Sequence, residues 1–262
     1  MVTTNLPLNE VETNLICLTI DVEWASPEVI QDIIRLLDER ELRATFFCTH
    51  ANINTHVHER ALHPNFRRNG DALRRLRSEI GDVLNEWTDK AIYEYVVQFT
   101  QTFSPEAVGI RGHSLFYDSD VLPIYRKAGL EYDSSYSLPL ASGLSPIWKE
   151  YDILEMPIYY MDHIDLINQM SGFCLKGLRM DQPGMKVFDF HPNMIFLNCA
   201  TVSQYLDSKL YYHDYEKLLM LRHSGRGVRT LFIELLDFIS SKGLPTATLS
   251  DLNAAWRKTQ NK

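Results

Sequence analysis

Residues 15–24 read Leu-Ile-Cys-Leu-Thr-Ile-Asp-Val-Glu-Trp, a nearly unbroken apolar run that ends in two acids. It is too brief for a membrane span and bounded by polar residues, which reads as a strand buried on both faces. In an extended backbone side chains alternate, so Asp21 and Glu23 fall on the same side. Two carboxylates leaving the end of a buried strand together repel each other unless a cation or an arginine sits between them. The plainer reading is a solvated strand end that caps a helix beginning near Ser26.

Beyond that strand the chain alternates regularly between helix and strand patterns. Ser26-Pro27-Glu28 is a helix start, with a capping hydroxyl, proline at the first helical position and then an acid. Val29, Ile30, Ile33, Ile34 and Leu37 recur at helical spacing, and a second strand lies at 43–48. Strand, helix and strand in this order imply a right-handed crossover and a parallel pair. Leu73 to Trp87 marks a helix, and Ile92 to Phe103 another that begins at Thr88. A strand at 107–110 delivers Arg111-Gly112-His113-Ser114. A helix over 119–128 is stopped by Gly129, and a short strand covers 130–133. Residues 137–146 form a Pro/Gly/Ser loop, and 153–160 a strand interrupted by Pro157. Residues 186–190 form a cleaner strand that ends in His191-Pro192-Asn193, whereas 162–184 shows little periodicity. An amphipathic helix over 229–241 closes at Gly243, a last strand covers 244–249, and Ser250-Asp251 caps a terminal helix. The fold class expected is α/β, an irregular (β/α) barrel of about seven parallel strands. A doubly wound open sheet is the alternative. The barrel would form a single domain over 1–262, with its core over about 15–249.

The balance of 34 acidic against 26 basic side chains gives a net charge of -8. That disfavours nucleic acid or an anionic membrane surface as the main partner, since both call for a basic field. The segment 1–14 holds Glu10 and Glu12 but no Lys or Arg, and no run reaches membrane length. Cys17, Cys48, Cys174 and Cys199 are scattered, without a CxxC pattern, which suits buried free thiols in a reducing compartment. The expectation is a cytoplasmic protein with no membrane span; the sequence specifies no oligomeric state.

Asp21 and Glu23, His63, Arg111 and His113, and His191 each stand at the carboxyl end of a different expected strand. In a parallel barrel those ends converge on the face where active sites are built. With these residues in place, the chain resembles the polysaccharide deacetylases with the NodB-type fold, in particular a divergent branch associated with surface-polysaccharide biosynthesis. Thr19-Ile20-Asp21-Val22-Glu23-Trp24 is similar to that family's first motif, and Arg43-Ala44-Thr45-Phe46-Phe47 to its next strand. His58-Glu59-Arg60-Ala61-Leu62-His63 stands in the place of its histidine segment. Arg111 begins the arginine motif, Tyr132-Asp133-Ser134-Ser135 matches the piece downstream, and Phe190-His191-Pro192 stands where the late histidine belongs.

The resemblance implies an N-acetylated sugar as substrate and a divalent metal ion, Zn2+ foremost, as cofactor. It implies Asp21 as general base, Arg111 as the group that orients it and His191 as general acid, with Glu23 and His63 as metal ligands. Three positions depart from the family pattern. Arg67 replaces a second histidine, Gly112-His113 replaces the usual residues after the arginine, and Glu23 is longer than aspartate and shifted by one position. Either His113 or Asn65 completes the metal site, or metal is weak or absent. A cation held by Glu23, His63 and His113 would leave room for water and substrate. Two other readings stand beside this one: cleavage of another C–N bond, or a catalytically inactive sugar- or partner-binding protein. His56 and His58 read as exposed loop residues. His50, His163, His213 and His223 read as structural and Tyr159, Tyr160 and Trp148 as core aromatics. The run Arg67, Arg68, Arg74, Arg75, Arg77 reads as a solvated helix face, with a site for an anionic nucleotide or lipid-phosphate carrier as the alternative.

Overall fold

Strand β1 (Ile16–Asp21) is buried along its whole length, with parallel neighbours β2 (Ala44–Cys48) and β9 (Lys186–Phe190) on its two sides. The computed structural model describes residues 14–51, 53–55 and 57–260; most of the segment 1–14, and His56, lie outside them. From β2 the sheet continues in parallel through β3 (Glu59–Leu62), β4 (Gly109–Ile110), β5 (Tyr132–Asp133) and β7 (Leu154–Glu155). Strand β6 (Ile147–Trp148) is added antiparallel at that edge, and β8 (Ile158–Met161) lies beyond β9.

Going round the sheet, strand order follows chain order, 1-2-3-4-5-7, and then returns to β1 through 8 and 9. A doubly wound sheet would reverse direction part-way; this one curls into an irregular (β/α) barrel. Between β7 and β8 the chain fills the gap itself. Ile158 N donates to Tyr136 O at 2.7 Å, and Leu138 N and Leu140 N donate to Ile158 O and Tyr159 O.

The described strands number nine, against the expected seven or so. Pro157, which has no N–H to offer a ladder, separates β7 from β8 where one interrupted strand was expected. The expected last strand over 244–249 touches β1 only through the bridge from Thr246 to Ile16. A helix then begins at once, with Thr248 Oγ1 accepting Asp251 N at 3.3 Å, so Thr248 is the cap and Ser250 and Asp251 lie in the first turn.

The helices are α1 (Pro27–Asp38), α2 (Asp71–Ile80), α3 (Asp89–Gln101), α4 (Val121–Lys127) and α5 (Asp162–Asn168). They continue as α6 (Pro192–Leu197), α7 (Val202–Ser208), α8 (Tyr215–Met220), α9 (Val228–Lys242) and α10 (Leu249–Gln260). Ser26 and Thr88 cap α1 and α3 as their sequences foretell. Gly129 and Gly243 follow α4 and α9 with φ of 81° and 58°, a left-handed turn that glycine makes without strain.

Alternation decides what faces where. Ile16, Leu18 and Ile20 of β1, Ala44 and Phe46 of β2 and Phe188 and Phe190 of β9 pack outward against Ile30, Ile33, Ile34 and Leu37 of α1 and Leu231, Phe232 and Leu235 of α9. Cys17, Phe47, Ala61 and Val187 point the other way and fill the barrel interior with Leu15, Tyr132 and Leu154. Thr19, Asp21, Asp189 and His63 share that inward parity and continue it toward the carboxyl ends. There the apolar filling gives way to polar groups.

Candidate active site at the barrel mouth

The polar cluster is organised by Arg111, whose side chain is fully buried at the end of β4. Its Nη1 donates to Asp21 Oδ1 and to Asp189 Oδ1, both at 2.8 Å, and to Thr19 Oγ1 at 2.9 Å. Nε and Nη2 donate to the carbonyl and hydroxyl oxygens of Ser134, and the Phe47 ring lies 4.1 Å from the guanidinium carbon. Each of its nitrogens is engaged, which fixes Asp21 in turn. Burial works against ionising Asp21, yet the surrounding positive groups, Arg111 first among them, together outweigh it and hold the carboxyl below the usual carboxylate range. Asp189 goes the opposite way: burial, together with the Asp21 charge and against the pull of Arg111, pushes it well above that range. Two acids on one guanidinium nitrogen are thus pushed in opposite directions, Asp21 toward the ionised form and Asp189 toward the protonated one.

Glu23 reaches the same place by a route the alternation rule does not give. Strand β1 stops at Asp21, and Glu23 and Trp24 turn left-handed, with φ of 49° and 57°. Such a conformation costs roughly 1 kcal/mol or more per non-glycine residue and is retained where the surroundings demand it. It brings Glu23 Oε1 to 2.7 Å from His113 Nδ1 and 3.6 Å from His63 Nε2. His113 arrives on the turn after β4. A Cβ on Gly112 would lie 2.5 Å from Phe116 O, so only glycine fits there.

His63 Nδ1 lies 2.9 Å from the carbonyl oxygen of Arg111, which can only accept, so Nδ1 carries the proton. In a neutral ring Nε2 is then a bare lone pair. It is buried, has no hydrogen-bond partner among the described residues, and faces Glu23 Oε1 and Asp21 Oδ2, each at 3.6 Å. His113 Nδ1 also lacks hydrogen-bond geometry despite its closeness to Glu23. Ligand atoms of Glu23, His63 and His113 all lie within 4.8 Å of one another. Ligand atoms converging in this way favour a positive charge among them, and the donor set, one carboxylate and two imidazoles, is one that suits zinc. The residues therefore fit a divalent cation. Asn65 Oδ1 accepts the Arg67 backbone N–H at 3.1 Å.

His191 stands across the cleft. Its Nδ1 lies 2.6 Å from Asp162 Oδ1, and its backbone N donates to Asp162 Oδ2 at 2.8 Å. Burial opposes a charged imidazole, but Asp162 more than compensates and raises the His191 pKa well above the ordinary histidine value. This favours the ring protonated on both nitrogens.

Asp21, Glu23, His113 and His191 form the floor of a cleft of about 600 Å³, walled by Trp24, Met161, Ile164, Tyr205 and Tyr212 and by Arg67, His163 and Lys209. A larger cavity of about 750 Å³ lies by the amino end of β3, beside His58, Glu59 and Arg60. In a parallel barrel it is the carboxyl end that carries the chemistry.

The structure brings Asp21, Glu23, His63, Arg111, His113 and His191 to one place. Several lesser expectations change. His58 is buried rather than exposed, with its Nδ1 3.3 Å from Ala44 N, which donates to it. His163 lines the cleft, and so does Arg67, which leaves the solvated basic face to Arg68, Arg74, Arg75 and Arg77. Trp148 is 41% exposed, under the Arg257 guanidinium, while Tyr159 and Tyr160 are core. Sequence reasoning missed Asp162 and Asp189. Asp189 had a signal, a lone acid inside an apolar strand two residues before His191; Asp162 had none.

Over residues 18–209 the sequence matches the WbmS-like polysaccharide deacetylase family. The chain belongs to that family. The deacetylase is thereby a hydrolase of carbon–nitrogen bonds in acetylated sugars. No curated protein matches its sequence. Its fold is similar to a crystal structure from Bordetella bronchiseptica described as a polysaccharide deacetylase involved in O-antigen biosynthesis. That structure has a TM-score of 0.72 and 24% identity, over 89% of this chain and 95% of that one. A polysaccharide deacetylase structure from Mycobacterium smegmatis is similar at a TM-score of 0.57 and 14% identity, over 97% of this chain and 94% of that one. Among the described residues, no helix of the deacetylase is long and apolar enough to cross a membrane.

Proposed function

We propose that the protein removes the acetyl group from an N-acetylated amino sugar used in surface-polysaccharide metabolism, with a divalent metal ion, zinc foremost, at Glu23, His63 and His113. The observation that carries this reading is the bare, buried Nε2 of His63 facing two carboxylate oxygens at 3.6 Å. Bound there, the cation supplies Lewis-acid activation of the amide carbonyl and of the attacking water.

The chain's own residues do the proton work. Asp21 keeps Oδ1 on Arg111 and turns Oδ2 toward the cluster, so an ionised oxygen is available to take a proton from water as it adds to the carbonyl carbon. Arg111 prevents Asp21 from rotating and keeps it charged. His191 donates its Nε2 proton to the amide nitrogen as the C–N bond breaks, which releases acetate and a free amine. Asp162 stabilises the imidazolium until that moment, an arrangement typically worth about 10²- to 10⁴-fold in rate. The cleft walls of Trp24, Tyr205 and Tyr212 offer aromatic surface to a sugar ring. A cytoplasmic setting belongs to this reading and is supported by the four free thiols.

Acetate release from a panel of N-acetylated sugars, before and after chelation and after zinc is restored, tests the proposal. Release that stops with the chelator and returns with zinc is expected. No release from any of them, with metal bound, would remove it.

A further inference from the structure

The floor and the rim of the cleft differ in how their charges are balanced. On the floor Asp21 is matched by Arg111 and Asp162 by His191, while Glu23 faces His113 and His63 at the place fitted to a cation. At the rim two exposed cations, Arg67 and Lys209, line the same cleft, and neither has a carboxylate of the described residues within 4.0 Å. The contrast with a chain neighbour is direct. Arg68 turns away to Asp89 at 3.5 Å, whereas Arg67 turns inward and donates through Nη2 to Ser114 Oγ on the cleft wall at 2.9 Å. That single bond leaves most of its guanidinium fork free. Lys209, from a distant part of the chain, is held 4.7 Å over the Tyr205 ring, which steadies its ammonium without neutralising it. His163 adds a hydrogen-bonding edge to the same cleft, and burial keeps it from charging readily.

We propose that the sugar taken by this cleft bears an oxyanion, a carboxylate or a phosphate, which Arg67 and Lys209 receive at the rim while the acetamide reaches the floor. An acidic protein with a net charge of -8 repels anions at long range, so a local pair of unneutralised cations is needed to admit one. A planar guanidinium and a compact ammonium together suit oxyanions, the first by paired hydrogen bonds and the second as a point charge. A neutral sugar would leave both cations without a task.

The inference rests on the deacetylase reading for its acetamide, so its test uses sugars with no amide to cleave. Calorimetric Kd values for glucose 1-phosphate, glucuronic acid and glucose are measured on the full chain at low salt. The same is done with Arg67→Gln, Lys209→Gln and the double variant, all at exposed positions. At least one anionic sugar is expected to bind about tenfold tighter than glucose, and the double variant to reduce that preference to about twofold. The phosphate and carboxylate arms show which oxyanion the rim takes. Equal binding of all three sugars, binding of none, or a preference that survives in the double variant would overturn the inference. Acetate release from the corresponding N-acetylated sugars is scored separately. An anion preference with no acetate release would leave the rim assignment standing and remove only the deacetylase reading.

Discussion

Asp162 grips His191 twice, with Oδ1 2.6 Å from the ring Nδ1 and Oδ2 accepting the backbone N–H at 2.8 Å. Both residues are buried, so the pair sets orientation and charge together. It holds the imidazolium ready as an acid, and activity should fall as pH rises through the raised His191 pKa. Asp162→Asn removes the charge that raises it. The alkaline limb of kcat should then move down toward ordinary imidazole titration near about 6.5, with a loss of roughly 100-fold above it. A pH–rate profile reads this directly; an unmoved limb would contradict the assignment. Stability follows the same sign. Because the folded pKa is raised, the pair's contribution is complete below the unfolded value and is lost as pH climbs through the folded one.

Arg111 bears on stability first. Arg111→Met leaves Asp21 buried without its counter-charge, a loss of about 3–5 kcal/mol that a denaturant titration would show as a lowered midpoint. Asp189→Asn should cost about 1 kcal/mol or less at neutral pH, because the Asp189 pKa is shifted toward the protonated form and Asn keeps the oxygen that accepts from Arg111. A large loss on Asp189→Asn would show that both acids are ionised.

Much of this arrangement was legible in the chain because parallel strands end on one face and alternate in parity. Asp21, His63 and His191 follow from those two rules. Glu23 does not: the left-handed turn at Glu23 and Trp24 breaks the parity that put it on the right side, and it arrives there for a different reason. The helices from α6 to α8 are six or seven residues long, too short to leave a period in the sequence. Asp162 begins one such short helix, α5, inside the stretch with no pattern, so nothing local marks its partnership with His191 twenty-nine residues away. Arg67 looked like part of a solvated basic run because sequence shows neighbours along the chain and not the Ser114 hydroxyl across the cleft.

Metal binding separates the floor residues. Glu23→Gln, His63→Ala and His113→Ala should each lower zinc affinity by at least about tenfold in a competition titration with a chromophoric chelator. Asn65→Ala should leave it within about twofold, since its carboxamide oxygen is used in the Arg67 turn.

Gly112 tests the turn that carries His113. Gly112→Ala forces the new methyl against Phe116 O and should cost about 1–3 kcal/mol of stability, as well as weaken zinc binding by displacing His113. Normal zinc affinity in that variant would mean that His113 is not held by this turn.

The most direct measurement compares acetate release by the wild-type and Asp21→Asn proteins on the same N-acetylated sugar, at matched zinc occupancy. With Asp21 as the base beside an intact cation site, Asp21→Asn should retain its zinc and lose at least about 10³-fold in kcat. Undiminished release by the zinc-loaded Asp21→Asn protein would contradict it.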